Sequence, residues 1–157
     1  MFRKIRIRWQ VWRGKAIDIW SKSPYPANVL SNLYGNSFCY DGVECGSMEG
    51  FLQSLKYKDI EEQHHICRLS GKEAKWMTTA SWQEDQTVWW KGQTIDRQSK
   101  MFLRLVRAAY KAMFEQNESF RTALLSTCGK VLYHSQGAQD SHKTILTEKE
   151  FCGILTQ

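Results

Sequence analysis

Glu49, Gln53 and Lys56 stand at i, i+4 and i+7. At about 100° per residue, a helix brings them within roughly 60° of one another on one edge. A carboxylate can act as acid or base, and an amide can hold hydroxyls. An amine can stabilise an anion or attack a ring-opened sugar aldehyde as a Schiff base, which requires a buried lysine of lowered pKa. Together these are the means to act on a glycosidic bond. The spacing alone equally describes a solvated Glu–Lys pair on a helix surface. Gly50, beside Glu49, leaves backbone room for a cleft.

The element that must position this edge is a helix over residues 48–57, capped by Ser47, with Glu49 in its first turn. Phe51, Leu52 and Leu55 then point away from the edge and into a core. Upstream, residues 4–11 alternate Lys4, Arg6, Arg8 and Gln10 against Ile5, Ile7, Trp9 and Val11. That alternation predicts a strand with one wet, basic face. A turn at Arg13, Gly14 and Lys15 and a second strand over 16–20 would complete an N-terminal hairpin spanning 2–20. Pro24 and Pro26 make 21–27 a loop, and turns at Asn36 and Asp41-Gly42 flank a short strand over 37–40.

Helices are expected downstream at 60–69, after the Ser70 cap, at 97–115, at 118–126 and at 148–155. Met101, Leu105, Ala108, Ala109 and Ala112 provide the apolar stripe of the longest. Thr147 and Glu150 form a capping box for the last. The pattern predicts an α+β fold, a mostly helical single domain over 1–157 with a small N-terminal β-sheet.

The 157 residues are 42% hydrophobic and 24% charged, a globular rather than disordered composition. Membrane spans and a secretory signal core are not expected. Five cysteines without paired spacing suit free thiols in a reducing, cytoplasmic setting. The net charge of +6 equals the six cations of the first 15 residues, among which no acid falls. That basic segment could track phosphates, or it could keep an edge strand soluble. His64, His65 and Cys67, with Cys45, lack a second cluster at ligand spacing, so no metal is expected. Trp82, Trp89 and Trp90 could stack a base or pack a core. Arg97, just before a helix where its charge opposes the dipole, is a candidate phosphate ligand.

The run Leu30, Ser31, Asn32, Leu33, Tyr34, then Phe38, Asp41-Gly42, Ser47-Met48-Glu49, Phe51, Gln53 and Lys56 resembles the YbiA-like, or NADAR, family. Ala74-Lys75, Phe114-Glu115-Gln116-Asn117 and Leu124-Leu125-Ser126-Thr127 extend the resemblance to about residue 135. Members are similar in acting on ribose linked to nitrogen, either ADP-ribose on guanine of nucleic acid or ribosylamino intermediates of riboflavin synthesis. The resemblance implies Glu49 and Lys56 as the catalytic pair, and Ser31, Asn32 and Gln53 as ligands of sugar or phosphates. Many members carry a Trp-Gly-x-Gly stretch near the C-terminus. Here residues 134–144 depart from it, with His134 and Asp140 similar in place to a family His and Asp.

The expectation is therefore an N-glycosidase that removes ADP-ribose from guanine bases of nucleic acid, without a cofactor or metal. Its partner would be ADP-ribosylated nucleic acid or a small ribosyl nucleotide, and no membrane. Hydrolysis of ribosylamino intermediates and non-catalytic binding of ADP-ribose or nucleic acid remain as alternatives.

Overall fold

The computed structural model describes residues 2–157. The basic N-terminal segment is a helix, α1 (Phe2–Trp12), rather than a strand. Only Ile7 of its residues is fully buried, so the alternating apolar side chains do not mark a core-facing strand edge. Ile7 seats α1 together with Arg3, which grips Glu148, and Gln10, which accepts from the Tyr133 hydroxyl at 2.8 Å. Residues 3, 7 and 10 lie on one helical stripe. Gly14, at φ +68°, ends the helix: its N–H donates to Val11 and that of Lys15 to Gln10. This is the bond pattern of a glycine helix stop, not of a hairpin turn.

The second expected strand exists as β1 (Ala16–Asp18), but its partner is β6 (Val131–Tyr133), parallel to it and far along the chain. After α2 (Ala27–Leu30), two antiparallel ribbons follow: β2 (Phe38–Tyr40) with β3 (Val43–Cys45), and β4 (Thr87–Trp90) with β5 (Gln93–Asp96). Lys91 and Gly92 make the second turn with positive φ, of 48° and 81°. The architecture is α+β, with its strands in three two-stranded pieces rather than one N-terminal sheet.

Between the ribbons lie α3 (Met48–Ser54), α4 (Ile60–Cys67) and α5 (Gly71–Lys75). The expected caps are present: Ser47 accepts from the Gly50 N–H, and Ser70 and Glu73 form a reciprocal capping box. Phe51, fully buried, is the hub of an aromatic cluster, its ring 5.6 Å from Tyr40, 5.2 Å from Trp90 and 6.5 Å from Phe38. Against this pack α6 (Lys100–Gln116), α7 (Glu118–Leu125) and α8 (Glu148–Leu155), the last with the Thr147–Glu150 capping box. The buried stripe of α6 is Phe102, Val106, Ala109, Tyr110 and Met113, about 100° around from the expected one, and Met101 is exposed. Both stripes are apolar, and the bulkier one takes the core.

Gly50 proves to have a packing role. A Cβ there would lie 2.8 Å from the Cys67 carbonyl oxygen and 3.0 Å from that of Ile66, so only glycine lets α3 meet the end of α4. Gly50→Ala is expected to lower stability by about 1–3 kcal/mol, read as a shift of the urea midpoint at unchanged slope.

Candidate active site

α3 and the turn after it carry the edge singled out in the sequence. Glu49 is anchored through its backbone N–H, which donates to the Asn32 carbonyl oxygen at 3.0 Å. Its carboxylate accepts from Gln53 Nε2 at 2.8 Å, the i, i+4 contact expected of one helix edge. Gln53 is itself buried, and its Oε1 has no hydrogen-bond partner. An acceptor left so on a cleft wall suits a hydroxyl donor from a ligand.

Lys56 lies just beyond the last helical residue, in a turn held from three sides. Its N–H donates to the Gln53 carbonyl, the Leu55 carbonyl accepts from the Trp89 N–H at 2.8 Å, and the Gln63 amide donates to the carbonyls of Ser54, Tyr57 and Trp89. Lys56 is 7% exposed, with Nζ donating to Thr78 Oγ1 at 2.9 Å. Burial lowers its pKa to about 8, against the opposing pull of the Glu49 charge. A measurable fraction of Lys56 is thus a free amine near neutrality.

The opposite wall comes from the segment between β6 and α8. His134 Nδ1 meets the Ile19 carbonyl oxygen at 2.7 Å, a contact that only a protonated Nδ1 can make. Its ring stands edge-on to Phe151 at 5.5 Å, and its backbone N–H donates to Glu148 at 3.1 Å. Asn32 accepts at 2.7 Å from the hydroxyl of Tyr110, whose pKa burial drives well up, so the phenol stays a donor.

These residues enclose a cleft of two lobes, each about 410 Å³, that share Asn32, Glu49, Lys75, His134, Gln136 and Phe151. Gln53, Lys56, Thr78 and Lys143 line the first lobe. Trp20, Lys22 and Ser31 line the second. Four lysines, at 22, 56, 75 and 143, therefore face one carboxylate, Glu49. That balance suits a ligand carrying phosphates.

Of the residues singled out in the sequence, the cleft gathers Ser31, Asn32, Glu49, Gln53, Lys56 and His134. It does not gather Arg97 or Asp140. Arg97 is 1% exposed and makes a two-pronged ion pair with Glu150, at 3.1 and 2.7 Å. Asp140 is exposed and accepts from the His142 N–H at 2.9 Å, opening the turn that presents Lys143. Lys75, Gln136 and Lys143 joined no site in the sequence reading. Lys75 had a helix phase fixed by the Ser70 cap, whereas Gln136 and Lys143 sit in loops without periodicity. Trp82 and Trp90 are core residues, and Trp89 is partly buried against the core. Among the described residues, no three or more His, Cys, Asp or Glu are grouped to hold a metal ion. No helix among them is long and apolar enough to cross a membrane.

This α+β arrangement of helices and short ribbons is a YbiA-like fold. The NMR structure of the Escherichia coli protein YbiA matches with a TM-score of 0.62, covering 90% of this chain and 81% of that one, at 20% identity. Residues 24–157 match the family model described as Bacteriophage protein GP30.3, and the chain belongs to that family. A relative from Enterobacteria phage T4, the 17.1 kDa protein of the Gp30–rIII intergenic region, is 38% identical over 142 residues, or 88% of this chain and 93% of that protein.

Proposed function

We propose that the cleft hydrolyses the bond between ribose C1′ and nitrogen in a phosphate-bearing riboside, foremost ADP-ribose attached to guanine of nucleic acid. The observation that carries this reading is the Lys56 amine, buried and lowered to about 8, in one cleft with a carboxylate steadied by Gln53. The resemblance to the NADAR pattern supports the bond type, and the four lysines support a phosphorylated ligand.

The chemistry balances without an oxidant. The leaving nitrogen takes a proton, the C1′–N bond breaks and its electron pair departs with the base. The neutral Lys56 amine bonds to C1′, and the C1′–O4′ bond opens as O4′ takes a proton, leaving a protonated imine. Water adds to C1′, the Lys56 nitrogen leaves as the amine, and the sugar recloses. Glu49 moves protons in both halves and stabilises the positive charge at C1′.

The test offers the protein guanine-ADP-ribosylated DNA and, separately, phosphoribosylamino pyrimidines, and follows products by chromatography with and without borohydride. Release of ADP-ribose from the DNA is expected, with a borohydride-trapped adduct on Lys56. Turnover of the pyrimidines alone moves the assignment to metabolic ribosylamines. Binding without release of either substrate overturns the enzyme and leaves a binding module. Turnover without an adduct restricts Lys56 to electrostatic stabilisation.

A further inference from the structure

The outward face of α1 is unusual for a soluble helix. Phe2 is 84% exposed, Ile5 57%, Trp9 51% and Trp12 82%, and at about 100° per residue they fall within some 80° of one another. Ile7, Arg3 and Gln10, which seat the helix, occupy the opposite face. Arg6 and Arg13 flank the aromatic stripe on one side, Lys4 and Arg8 on the other. The Arg13 guanidinium lies over the Trp9 ring, 4.8 Å from its centroid. Residue 18 is the first acid of the chain, and its carboxylate accepts from the Ser135 N–H at 2.8 Å and hydroxyl at 2.6 Å.

Below this face is a groove of about 490 Å³, lined by Arg8, Trp12, Tyr25, Pro26 and Lys130 together with Asp18. Tyr25 is 58% exposed. The same loop that gives Tyr25 to the groove gives Trp20 and Lys22 to the cleft, with Lys22 Nζ 5.8 Å from the Trp20 ring centroid. One loop thus supplies an aromatic ring to the groove and an aromatic ring and a cation to the cleft. α1 also precedes residue 24, where the match to the family begins.

We infer that α1 and this groove are a docking surface for single-stranded nucleic acid, with bases on Trp9, Trp12 and Tyr25 and phosphates on Lys4, Arg6, Arg8, Arg13 and Lys130. A stripe of rings bordered by cations matches a row of stacked bases bordered by their phosphates. A lipid surface would use the aromatic stripe but has no need of a concave site between Trp12 and Tyr25. The surface does not depend on the glycosidase reading, because it binds unmodified strands.

The test is fluorescence anisotropy with a labelled oligo-dT 20-mer and the full chain. With about five phosphates neutralised, one by each of these cations, log affinity against log salt is expected to have a slope of about −3.5. Replacing Arg6, Arg8 and Arg13 together by Gln should weaken binding at least tenfold at low salt and flatten the slope by about two. Trp12→Ala should weaken binding about tenfold and leave the slope unchanged. All four side chains are exposed, so circular dichroism should show intact helix content. Affinity of the triple variant within twofold of wild type overturns the inference. So does wild type that ignores the oligonucleotide but partitions onto phosphatidylglycerol vesicles, or a wild-type dimer that Trp12→Ala dissolves.

Discussion

On the proposed mechanism, Lys56→Ala is expected to reduce turnover by at least about 10³-fold, because it would remove the group proposed to bond to C1′. The informative companion is Lys56→Arg. Guanidinium keeps the positive charge but does not deprotonate at accessible pH. If the amine is the nucleophile, Lys56→Arg is as inactive as Lys56→Ala, and the wild-type rate climbs with pH to a plateau above about 8. If the lysine serves only as a cation, Lys56→Arg retains activity and the wild-type rate falls through the same pH. Kinetics from pH 6 to 9.5 on both proteins separate the two roles.

The same lysine leaves a mark on stability. Its pKa falls from 10.5 in the open chain to about 8 in the fold, because burial disfavours the ammonium. Below pH 8 both states hold the proton, and the folded state carries a desolvation penalty on the order of 3 kcal/mol. Between about 8 and 10.5 the unfolded chain binds the proton and the fold does not, so stability rises with pH across that window. Lys56→Met should therefore be more stable than wild type at pH 6 and lose that advantage by pH 10. A site that holds a costly group in place gives up stability for function.

How much of this was legible in the sequence depends on how far each feature reaches. Glu49 and Gln53 share one edge of α3, Lys56 follows in the turn that continues it, and Ser47 sets the phase, so a local pattern sufficed. Thr147 with Glu150 was legible for the same reason. The N-terminus reads as a strand because Ile5, Ile7, Trp9 and Val11 satisfy a period of two, the pattern of a half-buried strand. In the structure most of those side chains face solvent, and Arg, Lys and Gln are good helix formers. β1 lacked a visible partner because β6 lies more than a hundred residues away, and parallel pairing leaves no turn signal between them. The cleft's second wall, with Gln136 and Lys143, is made of loops whose positions follow from packing rather than periodicity. The sequence does carry a signal for the β4–β5 ribbon: Lys91-Gly92 between two runs rich in β-branched and aromatic residues.

Arg97 was expected to hold a phosphate, and the structure puts it to a different use whose consequence is large. Its guanidinium is 1% exposed, lies over the Phe102 ring at 4.3 Å, and donates twice to Glu150. Glu150 in turn accepts from the Thr147 N–H at 2.8 Å and hydroxyl at 2.9 Å, so one carboxylate ties α8's first turn to the residue that follows β5. Burial drives the Glu150 carboxyl up, but the bonds from Arg97 and Thr147 outweigh it and leave it below the usual range. Arg97→Ala strips that carboxylate of its counter-charge and opens a cavity beside Phe102. The expected loss is about 3–5 kcal/mol at pH 7. A carboxyl lowered in the fold stabilises above its unfolded pKa, and that contribution fades as pH falls through the folded value. The gap between wild type and Arg97→Ala should accordingly narrow in acid, which urea titrations at pH 7 and pH 3.5 would show. Activity gives the other half of the test. Were Arg97 a phosphate ligand, Arg97→Ala would raise KM for the phosphorylated substrate while leaving the urea midpoint near that of wild type. As the keystone between α8 and the end of β5, it should instead shift the midpoint and leave KM of the folded fraction unchanged.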